Sequence, residues 1–346
     1  MYKIIIRKIY YTINQILRNF KTFIQKEKIE KKLKKRFLGL YIETTNICNA
    51  NCIFCAYQHQ KRDTGVMEDL LFKKLIDEYV ELGGGNLGLT PTVGDPLVDK
   101  NIINKIKYAR SFKEIKEIGM YSNLISLSLF NLNDFVNSGL NHLAISASGF
   151  DENMYKRVYR SNQYSRMYNN LINLLIENKK NNSPIDISVD MRSDLSLKET
   201  LSIKDYKNIL NYISEEKCGY KFRYDDWAGK IKPTDLTGVM RIRNMFASLR
   251  FRFSACFEYF NGPMIYWNGD VGICGCRDVD AKELIIGNAK NNSLKEIWYN
   301  EKHLNYLDNF NKNTPSICKT CTHYDNISVL QSPAWKVTIQ EKKEVF

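Results

Sequence analysis

Six apolar, strand-like segments, separated by five helix-like ones, run from residue 38 into the 220s, and this alternation leaves the chain few folds to adopt. LGLYIETTN (38–46), NLGLTPTV (86–93), EIGMYSN (117–123), HLAISAS (142–148), DISVDMR (186–192) and YKFRYD (220–225) read as the strands. MEDLLFKKLIDEYVELG (67–83) and stretches near 100–111, 127–138, 163–179 and 203–214 carry apolar residues at helical spacing. Strands that alternate with helices pack as a parallel α/β sheet. The expected body is therefore a partial (β/α)6, TIM-like barrel, with its site at the C-terminal ends of the strands.

Directly after the first of these strands stands CNANCIFC (48–55), which places three cysteines in eight positions. The chain has nine cysteines and no secretory signal, so clustered cysteines read as metal ligands in a reducing cytoplasm rather than as disulfides. Four thiolates close a structural site. Three thiolates on a four-iron cluster leave one iron open to a further ligand.

A second cysteine constellation lies downstream. Cys256, Cys274 and Cys276 fall in FSACFEYFNGPMIYWNGDVGICGC, and Cys318 and Cys321 in SICKTCTHY, with helix-like SLKEIWYNEKHLNYL between. IYWNGDVGIC reads as a β-hairpin turning at Asn268 and Gly269. Cys256, Cys274 and the Cys318–Cys321 pair can then form one four-thiolate site, and spacing alone does not choose zinc over iron and sulfide. Cys274 and Cys276 share a strand face, so either can be the ligand, and if Cys274 ligates, Cys276 is a candidate active-site thiol able to give up a hydrogen atom. Cys218 reads as a buried small hydrophobe. His59, His142, His303 and His323 form no catalytic pattern.

The net charge of +13 suits a nucleic-acid binder until it is located along the chain. Residues 1–36 hold twelve Lys or Arg against Glu27 and Glu30, which is +10 of the +13. The rest is nearly neutral, which argues against an RNA-modifying enzyme. In the basic segment Ile5, Ile9, Ile13, Ile16, Leu17, Phe20, Phe23 and Ile24 recur at helical spacing. The segment is too interrupted by charge to be a signal peptide or to span a bilayer. Two placements stay open: a helix on an anionic membrane surface, at the inner face of a cytoplasmic membrane, or a helix packed on the body or on a partner subunit.

CNANCIFC, with Phe54 before its last cysteine, resembles the CxxxCxxC motif of the radical S-adenosylmethionine (SAM) superfamily, whose fold is a partial (βα)6 barrel. The resemblance implies a 4Fe-4S cluster on Cys48, Cys52 and Cys55 that binds SAM through its open iron. It also implies a 5'-deoxyadenosyl radical that abstracts hydrogen from an unactivated C–H bond. VGDP (93–96) stands where the family has GGEP, so Gly94 and Asp95 are expected at the SAM amino group, with Asp95 a shorter carboxylate. Ser122, Asn123, Ser146 and Ser148 are expected near the SAM ribose and carboxylate, and Arg192 opposite a carboxylate.

The hairpin, helix and CxxC resemble a twitch domain, the shortened SPASM appendage, which implies one auxiliary 4Fe-4S cluster and an electron-passing role. The units implied are 1–37, 38–235 and 236–346. KFRYDDWAGK (221–230) supplies Arg223, Asp225, Asp226 and Trp227 as substrate contacts.

The layout resembles aminocyclitol dehydrogenases, so oxidation of a sugar or cyclitol is expected first, and epimerisation if Cys276 returns a hydrogen. Maturation of a ribosomal peptide, by oxidation, epimerisation or crosslinking, is the alternative. A small-molecule substrate and an electron donor such as flavodoxin or ferredoxin are the implied partners.

Overall fold

The computed structural model describes residues 2–34, 38–243, 252–275 and 277–331. Strands β1 (Gly39–Ile42), β2 (Gly85–Gly88), β3 (Ile115–Ser122), β4 (His142–Ser148), β5 (Asp186–Arg192) and β6 (Cys218–Lys221) pair in chain order, all parallel. The period of two is clearest on β4 and β5. Leu143, Ile145, Ala147, Ile187, Val189 and Met191 are buried in the core, while Ser146, Asp190 and Arg192 alternate with them and face the large central cavity. Apolar side chains at helical spacing seal the outer face. Leu71, Phe72, Leu75, Ile76 and Tyr79 form the buried stripe of the Asp69–Glu81 helix.

The expected sixth strand is divided. The chain leaves the sheet after Lys221, and β7 (Arg223–Tyr224) pairs instead with β8 (Arg241–Ile242). The Tyr224 ring is then free to stack on Phe54, centroid to centroid 5.0 Å. The helix expected near 127–138 is also interrupted: a 3-10 turn at Leu127–Leu129 ends in extended Phe130, and Asn131 caps a short Leu132–Val136 helix.

The C-terminal hairpin extends the same sheet. β9 (Met264–Ile265) pairs in parallel with β1, β10 (Asp270–Gly272) is antiparallel to β9, and β11 (Ile285–Asn288) is antiparallel to β10. The order is β11-β10-β9-β1-β2-β3-β4-β5-β6, nine strands without a break. The hairpin turns where the sequence places it. Gly269, at φ +92°, donates its N–H to Tyr266 O at 2.9 Å.

A close approach of two backbones permits this join. Gly262 has φ +152°, and a Cβ there would lie 1.8 Å from the carbonyl oxygen of Gly39 at the start of β1. Gly262→Ala should therefore cost at least about 2 kcal/mol and lower the thermal midpoint by roughly 4 °C or more. Gly83→Ala, also at positive φ but with open space around it, should cost only about 1 kcal/mol. Paired melts of the two variants check this.

Candidate functional site

The cysteine loop leaves β1 and is tied at its base. Buried Glu43 receives both arms of Arg62, at 2.5 and 2.7 Å, and Arg62 also donates to Val279 O. The Asn46 amide donates to Gln60 Oε1 and Asp63 O, and its oxygen accepts from Gly65 N at 2.9 Å. The far side of the loop is held by Asn51 N donating to Tyr159 O and Ile53 N donating to Val158 O. Cys48, Cys52 and Cys55 are thereby carried to the wall of a cavity of about 560 Å³ at the C-terminal ends of the strands. Burial pushes all three thiols up, and for Cys52 neighbouring Cys48 and Cys55 add to the effect. Such a set is held neutral until a cationic group ionises it, which is the behaviour of a metal-cluster donor set that releases protons on loading.

The VGDP turn lies on this loop. At Gly94, φ +132°, a Cβ would come 2.9 Å from Asn46 Cα, so only glycine fits, and Asp95 N donates to Ile47 O at 2.9 Å. The Asp95 carboxylate accepts from Leu97 N at 3.0 Å, Ser122 Oγ at 3.0 Å and Asn123 N at 2.6 Å. Burial pushes it up to about 6 despite those bonds. Asn123 donates to Asn49 Oδ1 at 2.7 Å, and its amide nitrogen is 3.7 Å from Cys48 Sγ. Asp95, Ser122 and Asn123 thus form one bonded unit between β3 and the cysteine loop, on the cavity wall.

Ser146 is also on that wall, 3.1 Å from Tyr159 Oη. Ser148 is not. It is fully buried, and its hydroxyl accepts from Phe150 N at 3.2 Å, so it lies off the cavity wall on which a cofactor contact was expected of it. The Arg192 guanidinium lies 5.0 Å from the Phe54 centroid, in the cavity, and its Nε is buried without a hydrogen-bond partner. An orphaned guanidinium nitrogen beside the cysteine loop suits a carboxylate-bearing ligand such as SAM.

Cys256, Cys274, Cys318 and Cys321 line a second, smaller cavity. Tyr259 Oη is 3.1 Å from Cys318 Sγ, and Arg252 donates to the carbonyls of Cys318 and Cys321. Burial pushes Cys318 up to about 12 and Cys321 up to about 11. Cys276, the other candidate thiol, lies outside the described residues.

The 225–227 segment joins the two cysteine sets. Burial raises the Asp225 carboxyl, but Arg277 and His323 outweigh it and hold the group below its usual range; Arg277 Nη2 donates to Asp225 Oδ2 at 2.7 Å. Asp226 exchanges hydrogen bonds with Thr322, next to Cys321. Trp227 Nε1 donates to Phe54 O at 2.9 Å, next to Cys55, and its ring carries Arg277 4.2 Å from the centroid. Of the four expected substrate residues, Arg223, Asp225 and Trp227 line the large cavity, whereas Asp226 is absorbed into the bridge to Thr322.

The sequence reading missed Tyr159, Asp190, Lys221 and the trio Glu258, Arg277 and His323. Asp190 carried a signal, since it precedes Arg192 by two on one strand. The trio carried one too, since Glu258, Arg277 and His323 follow Cys256, Cys274 and Cys321 by two or three residues.

A family profile described as the radical SAM superfamily matches residues 42–191, and one for the SPASM iron-sulfur cluster-binding domain matches residues 256–322. The chain belongs to the radical SAM superfamily. Its cofactors are SAM and 4Fe-4S clusters, one SAM-binding and one auxiliary, which resolves the choice between zinc and iron-sulfur. Among curated relatives, a GTP 3',8-cyclase of Thermodesulfovibrio yellowstonii is 31% identical over 124 residues, 35% of this chain and 38% of the relative. A PqqA peptide cyclase of Bradyrhizobium diazoefficiens is 27% identical over 128 residues, 35% of this chain and 31% of that protein. The match thus spans less than two fifths of these relatives' length. Among solved structures, BtrN in complex with AdoMet and 2-DOIA superposes with a TM-score of 0.55 at 16% identity, over 84% of this radical SAM chain and 94% of BtrN. That likeness is one of fold.

Anaerobic reconstitution of this radical SAM protein should give about eight irons and eight sulfides per chain, and a Cys318→Ala/Cys321→Ala variant about four of each. Elemental and sulfide analysis checks both, and zinc in the full-length chain would contradict the assignment of those two residues.

Proposed function

We propose that Cys48, Cys52 and Cys55 hold the SAM-binding cluster, that Cys256, Cys274, Cys318 and Cys321 hold the auxiliary cluster, and that the enzyme oxidises a hydroxyl of a sugar or cyclitol. The units 1–37, 38–235 and 236–346 then serve as appendage, radical-generating barrel and electron-accepting domain. The observation that carries this reading is a shared wall: Glu258, Arg277 and His323 line both the large cavity and the small one. A substrate in the large cavity is therefore one layer of side chains from the auxiliary site.

When bound, SAM on its cluster supplies a 5'-deoxyadenosyl radical that takes a hydrogen atom, and the auxiliary cluster supplies an acceptor for one electron. Converting CH–OH to C=O removes one hydrogen atom, one proton and one electron, so a group of this chain must receive the proton. Asp190 is placed for that task. Its carboxylate faces the cavity, 3.5 Å from Lys221 Nζ and 4.0 Å from the Arg192 guanidinium. Thr90, Tyr121, Lys221, Arg223 and Arg243 line the same cavity, a polar rim suited to a hydroxyl-rich ligand. Asp95 serves as the counter-charge to the SAM ammonium, and an external flavodoxin or ferredoxin supplies the reducing electron.

Two outcomes follow. Burial pushes Asp95 up to about 6, so SAM affinity should weaken by up to about tenfold per unit as pH falls below that value, as protonation removes the counter-charge. Equilibrium binding between about pH 5 and 8 checks this, and an Asp95→Asn variant should lose the dependence. Asp190→Asn should still form 5'-deoxyadenosine from SAM while oxidising a sugar or cyclitol panel roughly 100-fold more slowly. Solvent deuterium at a product carbon would instead mean epimerisation. Turnover of a precursor peptide and of no sugar would favour the peptide-maturing alternative, in keeping with the similarity to a PqqA peptide cyclase.

A further inference from the structure

We propose that the first helix, α1 (Tyr2–Ile24), docks the enzyme onto an anionic lipid surface through its outward apolar stripe. The side chains described from residue 13 onward are arranged against the usual rule. Polar Asn19 and Thr22 are buried, while Ile13, Ile16, Leu17, Phe20 and Ile24 are between 46% and 68% exposed. At ~100° per residue these five apolar positions fall within an arc of about 100°, and Asn19 and Thr22 lie outside it, toward the body. Phe23, at the edge of the stripe, meets the Phe253 ring at 5.9 Å.

Hydrogen bonds fix this rotation. Asn19 Oδ1 accepts from Ser328 Oγ at 2.7 Å and from Asn326 Nδ2 at 3.3 Å. A helix that used its stripe to pack on the body would have turned by roughly half a revolution and lost those bonds. Of the two placements open from sequence, burial of the stripe against this chain's own body is thus not the one observed.

Charge identifies the occupant. Exposed Lys21 borders the stripe, and the next helix, α2 (Lys26–Leu33), has no buried residue and presents Lys28, Lys31 and Lys32 to solvent. Residues 1–36 together carry +10 of the chain's +13. A second copy would bring two such segments face to face, and like charge opposes that pairing. An anionic bilayer accepts both features, the apolar stripe at the acyl boundary and the lysines among the headgroups. No described helix is long and apolar enough to cross a membrane, so the contact is one of lying on the surface.

The test uses the full chain with its clusters reconstituted and vesicles of phosphatidylcholine alone or with about 30% phosphatidylglycerol. Sedimentation should show binding to the phosphatidylglycerol vesicles at least ~10-fold tighter than to phosphatidylcholine, and most of it should be lost as salt rises from ~0.1 to ~0.5 M. Leu17→Glu/Phe20→Glu should weaken binding at least ~10-fold while iron content and SAM cleavage stay unchanged. Equal affinity for both vesicles, no binding to either, or a wild-type dimer in sedimentation velocity that this double variant abolishes would each overturn the proposal.

Discussion

The buried pair of Glu43 and Arg62 is the interaction on which the rest of the site depends. Glu43 follows the first strand with a carboxylate sealed from solvent, so burial drives it toward neutrality and Arg62 opposes that drive. Arg62 arrives from the far end of the cysteine loop, donates to Val279 O in the C-terminal domain, and lies 4.7 Å from the Tyr266 ring centroid. Thr92 N, just before the VGDP turn, donates to the same carboxylate at 3.2 Å. One ion pair therefore fastens the strand, both ends of the cysteine loop, the turn and the hairpin. Removing either partner strands a buried charge, at a cost of about 3–5 kcal/mol.

With the loop fixed, the two cysteine sets become parts of one scaffold. The first set follows β1; of the second, Cys256 precedes β9 and Cys274 follows β10, strands that extend the sheet from the free edge of β1, while Cys318 and Cys321 lie on and just after the Ser316–Thr320 helix. The 225–227 segment closes the opposite side, touching Phe54 beside Cys55 and Thr322 beside Cys321. The wall of Glu258, Arg277 and His323 is thus held at several points rather than hung from one linker.

The parts legible in the sequence are those set by local periodicity and spacing. HLAISAS and DISVDMR coincide residue for residue with β4 and β5, because an alternating strand covered by helices leaves little choice of register. The cysteine loop and the hairpin turn at Gly269 were equally readable, being contiguous motifs. What escaped is tertiary. YKFRYD divides because Tyr224 leaves the sheet to stack on Phe54, and Asp226 meets Thr322 across nearly a hundred residues of chain. Ser148 shares its parity with Ser146, yet the loop after β4 buries it, which no strand pattern reveals.

The backbone contact between Gly39 and Gly262 acts as a ruler. Because β9 joins β1 through main-chain pairing, with no side chain between the two glycines, the offset between the strand that leads into the first cysteine set and the hairpin that leads into Cys274 is set by a strand spacing of about 4.8 Å. Side-chain replacement can reshape the cavity and change what it admits. It has no lever on that offset, so the shape of the large cavity can drift across such a scaffold while the spacing of the two cysteine-lined sites stays constant.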